Sequence, residues 1–272
     1  MNTKVKLFIA RIIYKILSLL GFKKERIILR NGIKYHVDLS EGIELSLFLF
    51  GSFQRYLWKN LKINRNDKIT IFDIGANVGS ISLPFAKLFP NSKVYSFEPT
   101  DYAYSKLIKN IELNPDLKSR IVPIQAFVSK ESGISEREEA YSSWKIDGSK
   151  VDHPIHGGTL QKATKQQVSI DQFLEKEKIT NLKLIKIDVD GFEYEVFQGM
   201  QETLKKREVI VIFEFMGYTG PSIVEEFSKY YNLLISYGYT LYDAKSMKIL
   251  NSENISRIVP KNGGIDILCL PN

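Results

Sequence analysis

The sequence predicts an α/β fold, with a doubly wound, mostly parallel, Rossmann-like sheet and helices on both faces. Three observations predict it. From residue 69 onward, short apolar runs alternate with amphipathic helical stretches, the pattern left by successive βαβ units. The first two runs end on acids, Asp73 and Glu98, and a glycine-bearing turn follows the first. The 272 residues are 44% hydrophobic and 25% charged, a balance that suits a folded core rather than a disordered chain.

The elements follow in order. "VKLFIARIIYKILSLLG" reads as a helix over 4–20, with Lys4, Arg11, Lys15 and Ser18 on a narrow polar face. Its broad apolar face carries Phe8, Ile9, Ile12, Ile13, Ile16, Leu19 and Leu20, and Lys6 falls outside the polar stripe. Charges interrupt it too often for a bilayer span or a signal peptide. Such a helix fits the interface of an anionic membrane, its own domain, or a second subunit in a homo-oligomer. Residues 27–38 read as a hairpin turning at Asn31-Gly32, and 43–61 as an aromatic-rich helical stretch. Together they make an N-terminal helical and hairpin extension over 1–62, ahead of a main domain over 63–272.

In that domain, strands are expected near 69–74, 93–98, 120–125, 183–188, 209–215, 239–243 and 264–270. Helices are expected near 78–89, 101–113, 170–177, 192–206 and 221–237. Residues 129–167 are polar and glycine-rich and read as a long inserted loop. A loop of that length in a compact domain is usually functional, and an acceptor is its expected contact.

Composition narrows the chemistry. Cys269 is the only cysteine, which excludes an internal disulfide and any iron–sulfur cluster. It fits a reducing, cytoplasmic location, with the N-terminal helix peripheral at the inner face of the membrane. The net charge is +7, and the first 30 residues hold eight Lys and Arg against Glu25 alone. The remainder is therefore near neutral, and no nucleic-acid partner is expected of it.

The stretch "FDIGANVGSISLPFAKLFPNSKVYSFEPT" spans Phe72 to Thr100. Ligands of doubly wound sheets bind beyond the C-terminal ends of the strands. The turn Asp73-Ile74-Gly75-Ala76-Asn77, closed by Gly79, lets a ligand approach the backbone, and a helix starting near Asn77 would present free N–H groups. Glu98, 25 residues after Asp73, can accept hydrogen bonds from both hydroxyls of a ribose. The Gly-x-Gly-x-x-Gly nicotinamide fingerprint fails at Asn77 and Ser80, and no Gly-Lys-Ser/Thr phosphate loop occurs. The arrangement suits S-adenosylmethionine, which has no phosphate and offers an ammonium to Asp73. Gln125, at the third strand's end, is placed to bond the adenine.

These residues resemble the first motif of FkbM-type methyltransferases, with Asp-x-Gly-Ala-Asn and then Phe-Glu-Pro. "VSIDQFLEKEKITNLKLIKIDVDGFEYEVFQGM" resembles the later signature of that family, with Asp190 where Glu is more usual. The resemblance covers roughly 69–215. It implies a class I methyltransferase fold and S-adenosylmethionine-dependent O-methylation, often of sugars or secondary metabolites.

An acceptor hydroxyl needs help losing its proton. Asp188, closing the fourth strand, is the first candidate to orient the acceptor. His156, in "VDHPIHGG", is the candidate base, ahead of His153. Trp144, with Tyr141, would stack on a sugar ring, and Glu193 and Glu214 would contact substrate. Asp190 serves as well as a helix cap. Asp188 and Glu214 also have the oxygen chemistry for a divalent cation such as Mg²⁺. The function expected is methyl transfer to a hydroxyl of a saccharide or glycoconjugate. A nucleic-acid methyltransferase and an inactive cofactor-binding scaffold are the alternatives, although no Asn/Asp-Pro-Pro-aromatic motif occurs.

Overall fold

The computed structural model describes residues 3–52, 54–58, 60–149, 151–153, 157–217, 222–260 and 262–272. The chain opens with helix α1 (Thr3–Leu19) and the hairpin β1 (Glu25–Arg30) and β2 (Ile33–Asp38). Asn31 and Gly32 both have positive φ, 50° and 70°, the primed turn whose twist matches that of paired strands. Helix α2 (Gly42–Phe50) ends where Gly51, at φ 71°, donates back to the Leu47 carbonyl. This is a left-handed cap that a side chain would strain. The helical stretch expected over 43–61 is thus α2 and a separate single turn of 3-10 helix, Arg55–Trp58.

The main domain alternates as expected: β3 (Thr70–Ile74), α3 (Ser82–Leu88), β4 (Lys93–Phe97), α4 (Asp101–Glu112), α5 (Pro115–Lys118) and β5 (Ile121–Ile124). β6 (Phe127–Val128) follows, and the region expected to be an irregular loop then holds strands instead: β7 (Gly133–Ile134), β8 (Glu139–Ser143), β9 (Thr159–Lys162) and β10 (Gln166–Val168). β10 runs between β6 and β7, and β8 pairs antiparallel with β9. After them come α6 (Ile170–Lys176), β11 (Leu182–Ile187), α7 (Glu193–Gln198), α8 (Gln201–Lys205), β12 (Ile210–Met216), α9 (Ile223–Ser236), β13 (Tyr239–Asp243), α10 (Ile255–Ile258) and β14 (Gly264–Pro271).

One helix was expected over 192–206, and it is broken in two at Gly199. A Cβ there would lie 2.2 Å from the Ser129 carbonyl oxygen, so only glycine lets this turn pass the segment leaving β6.

The central sheet has seven strands in the order β13-β14-β12-β11-β3-β4-β5. β14 runs antiparallel to both neighbours, and the pairs from β12 through β5 are parallel. Period-two alternation divides its side chains between two cores. Ile71, Val94, Leu184, Ile212 and Leu268 face one side, and the extension completes that core with Tyr35, Val37, Leu45 and Leu57. Phe72, Phe97, Ile185, Val211 and Phe213 face the other, under α6, α7 and α9.

In the second core the Phe173 ring of α6 sits edge-on to Phe72, Tyr95 and Phe97, with centroids 5.7, 5.7 and 5.2 Å away. These are the strands whose tips carry Asp73 and Glu98. Replacing Phe173 with Ala should cost about 3–5 kcal/mol of stability, read as a lowered urea midpoint with unchanged slope. A loss under about 1 kcal/mol would mean that the ring cluster does not hold α6 to the sheet.

Candidate functional site

The C-terminal ends of the parallel strands open into a cavity of about 700 Å³, within the usual range for small-ligand sites. Its floor is a row of charged side chains on one face of four adjacent strands. Asp73 of β3 pairs in register with Lys186 of β11, and Glu214 of β12 pairs with Asp266 of β14. Charges in fully buried strands survive only when balanced. Lys186 provides the balance. Only 1% exposed, its ammonium lies 3.0 Å from Asp188 and 3.5 Å from Asp266. Burial alone would lower its pKa, but Asp188, Asp266 and Glu214 outweigh burial and raise it.

The buried carboxylates are raised as well, which in their case favours the neutral form. Burial, opposed by the Ser82 hydroxyl and Lys186, leaves Asp73 at about 6. Ser96 in turn donates to Ser82 at 2.7 Å, fixing that hydroxyl on Asp73. Glu214 is pushed well above the ordinary range by burial and by Asp188, Asp266 and Asp190. Asp190, at φ 52°, is raised by burial and by Asp188, Glu193 and Glu98.

The turn after β3 is tighter than the sequence suggested. Gly75 has φ 81°, and a Cβ there would meet the Asp188 carbonyl oxygen at 1.8 Å. The tips of β3 and β11 therefore touch, backbone to backbone. Gly79, at φ 86°, lies under Leu107 and Leu83. The expected open helix N-terminus at Asn77 is absent. Gly75 and Ala76 both donate to the Phe97 carbonyl, Asn77 N–H donates to Glu98 at 3.0 Å, and helix begins only at Ser82. The two bonds to the Phe97 carbonyl and the one to the Glu98 carboxylate take up these N–H groups before the helix begins.

Glu98 does two jobs. One carboxylate oxygen accepts from the Thr100 N–H and hydroxyl at 2.9 and 2.6 Å, holding the residue that caps α4. The other holds Asn77 and belongs to the cavity wall. Burial raises its pKa.

Of the residues predicted from sequence, Asp73, Gly75, Ala76, Asn77, Glu98, Trp144, Asp188 and Glu214 all border the cavity. Gly79 lies behind it, packed on Leu107. Gln125 does not reach the cavity. Its amide donates to Asp101 at 2.6 Å in a separate shallow recess, because the strand turns its side chain towards α4. On that side the cavity is walled by Phe97, Pro99, Ala126 and Phe127. Glu193 is buried and turned into its own loop, accepting from the Val189 and Gly191 N–H groups at 3.1 and 3.2 Å. Burial brings it to about 7. It closes the turn ahead of α7 and does not border the cavity. His156 lies outside the described residues. His153 packs edge-on to Tyr141, with centroids 5.6 Å apart.

The residues do not fit a resident Mg²⁺. Asp188, its first candidate ligand, is bonded to the Lys186 ammonium, which supplies the positive charge a cation would bring. Among the described residues no group of three His, Cys, Asp or Glu could hold a metal ion.

Sequence reasoning missed Lys186, Asp266, Tyr56 and Gln54. The Tyr56 hydroxyl donates to Asp266, and the Gln54 amide lies 3.3 Å from it. Gln54 Oε1 is buried beside the cavity with no partner. A lysine inside the apolar run "LKLIKI" was the available signal, since buried parallel strands otherwise read as continuous apolar stretches.

Comparison with known proteins agrees with this geometry. Residues 73–241 match the family model described as "Methyltransferase FkbM domain". The chain is 26% identical over 157 residues to Methyltransferase sdnD of Sordaria araneosa, covering 48% of this chain and 60% of that protein. It is 24% identical over 142 residues to the hexuronic acid methyltransferase AglP of Haloferax volcanii, covering 52% of this chain and 54% of that one. The chain thus spans little more than half the length of these relatives. The crystal structure of an FkbM methyltransferase from Methylobacillus flagellatus superposes with a TM-score of 0.52 at 13% identity. The superposition covers 82% of this chain and 49% of the other, a likeness of fold.

Replacing Lys186 with Met should destabilise the protein by about 3–5 kcal/mol at neutral pH. The loss should shrink towards pH 5, because the raised pKa values of Asp73, Glu214 and Asp266 let those carboxylates take up protons as pH falls. Urea unfolding across that range checks this. A loss that grows on acidification would contradict the charge balance.

Proposed function

The chain belongs to the FkbM methyltransferase family, and from that premise we propose that it is an S-adenosylmethionine-dependent O-methyltransferase. Its acceptor, on this reading, is a hydroxyl of a saccharide or glycoconjugate. The observation that carries the proposal is the meeting of the β3 and β11 tips at Gly75 and Asp188. It sets a cofactor cradle and a carboxylate for the acceptor side by side in one cavity.

The residues fit the cofactor. Gly75 borders the cavity, and its lack of a Cβ lets the Asp188 backbone close against it there. Asp73 offers a carboxylate to an ammonium, the cavity-facing oxygen of Glu98 can accept from a ribose hydroxyl, and Phe97, Pro99 and Phe127 give an apolar wall for a base. S-adenosylmethionine supplies a methyl carbon already activated by its sulfonium.

The protein's remaining work is alignment and proton handling. Asp188, anchored by Lys186, is half-buried and faces the cavity. It accepts the hydrogen bond of an incoming hydroxyl and draws off its proton as the new C–O bond forms. Glu214, whose raised pKa favours its protonated form, can donate to a second sugar oxygen. Trp144 and Tyr141 line the same cavity, where ring faces can stack on the apolar side of a pyranose. Trp144 is held by its backbone: its N–H donates to Glu41 at 2.8 Å and its carbonyl accepts from Gly42 at 3.0 Å. The resemblance to a hexuronic acid methyltransferase supports a saccharide acceptor.

Labelled S-adenosylmethionine incubated with cellular glycan, lipid-linked glycan, RNA and DNA fractions tests the acceptor class. Label should enter a glycan fraction, and label confined to nucleic acid would refute the proposal. In calorimetry, Glu98→Ala should weaken cofactor binding by about tenfold or more. Asp188→Asn should leave cofactor binding intact and slow methyl transfer by about a hundredfold or more.

The pH dependence of cofactor binding has a defined sign. Asp73 is ionised above about 6, so affinity should fall as pH drops through that value and its carboxylate gains a proton. Asp73→Asn should bind weakly and lose this step. A wild-type affinity that is flat between pH 5 and 8 would remove Asp73 from the ammonium contact.

A further inference from the structure

Helix α1 has two apolar faces. One packs inward, where Leu7, Ala10, Ile13, Tyr14 and Leu17 join the core beneath the extension, and Leu7, Ala10 and Ile13 also form part of the cavity wall. The other faces solvent: Leu19 is 87% exposed, Phe8 64% and Ile16 51%, with Ile12 and Leu20 beside them. Intramolecular packing explains the first face and leaves the second unpartnered. Large contiguous apolar surface of this kind marks an interaction site.

The cavity mouth has the same character. Ile9 of α1, Leu49 and Phe50 of α2, Leu160 of β9 and Phe192 before α7 all line the cavity and are all exposed. Residues that do both form its rim. A free sugar gains nothing from an apolar rim at the entrance to a polar site. An acceptor with a lipid tail does.

Charge selects the partner. Lys15 and Lys23 are exposed near the outer stripe of α1, in a segment holding eight Lys and Arg against one Glu. A helix with an apolar face, flanking lysines and too little length to cross lies in the headgroup layer of an anionic bilayer. No described helix is long and apolar enough to span a membrane.

We propose that the outer face of α1 docks the protein on an anionic bilayer, setting the cavity mouth against the lipid surface for a lipid-linked saccharide acceptor. The acceptor half rests on the methyltransferase reading above, whereas the docking half does not. The acceptor's chain would lie along the rim and its sugar would reach Asp188.

Flotation of the full chain with phosphatidylcholine vesicles, with and without phosphatidylglycerol, tests the docking. The protein should float with the anionic vesicles, less so in high salt. The double variant Ile12→Asp, Ile16→Asp should lose about tenfold or more of that binding. Neither residue borders the cavity, so the variant should keep its cofactor affinity, which also verifies that it folds. Absence of flotation in wild type, or equal flotation of the variant, overturns the proposal. So does a wild-type dimer in sedimentation velocity that the variant dissolves, because the face would then belong to a second copy.

For the acceptor, methylation of a vesicle-borne lipid-linked saccharide should exceed that of the released glycan by about tenfold or more. Equal rates overturn the lipid-linked acceptor and leave the docking standing. If neither is methylated while flotation persists, the methyltransferase reading fails and the docking holds.

Discussion

Burying an ammonium at the centre of a parallel sheet is costly, and here it is what allows acids to stand on three neighbouring strands. Lys186 reaches Asp188 and Asp266 directly and offsets the field of Glu214. Remove that positive charge and the carboxylates of Asp188, Asp266 and Glu214 face one another with nothing to offset their repulsion. The site's geometry follows from this balance. Asp188 is held at the edge of the cavity because its partner is fixed in the strand below it. The acids further in are held closer to their neutral forms, so one row contains both proton acceptors and proton donors.

The N-terminal extension is part of this arrangement. Tyr56 and Gln54 come from its 3-10 region and close over Asp266. Its hairpin and α2 complete one of the two cores. Glu41, just before α2, ties three parts of the chain together: it accepts from the Tyr102 hydroxyl of α4 at 2.7 Å, from Ser143 and the Trp144 N–H of the insert at 2.8 Å each, and pairs with Lys145 at 2.6 Å. Trp144 therefore takes its place from the extension as much as from its own segment.

Much of this was legible in the sequence, for reasons tied to particular residues. The seven central strands announced themselves because parallel strands buried on both faces must be short apolar runs, and the helices between them keep one polar face. Asp73, Gly75 and Glu98 were readable because strand tips in this architecture converge. Long-range pairing was not readable. Nothing local says that Gln125 turns to Asp101, or that the Phe97 carbonyl captures the N–H groups of Gly75 and Ala76. The insert looked irregular because β7 and β10 are only two or three residues long, too short for alternation to register. Lys186 looked like an ordinary surface lysine because its partners lie two residues and eighty residues away.

Gly199 joins regions that the chain keeps far apart. Its missing side chain makes room for the Ser129 carbonyl, and its own carbonyl accepts from Asp171 at 3.0 Å. The start of the insert is thereby keyed to the junction of α7 and α8, at the end of the second signature block. Because the crowding atom is a backbone carbonyl, no change of side chain at 129 would relieve it, and the joint rests on the glycine alone.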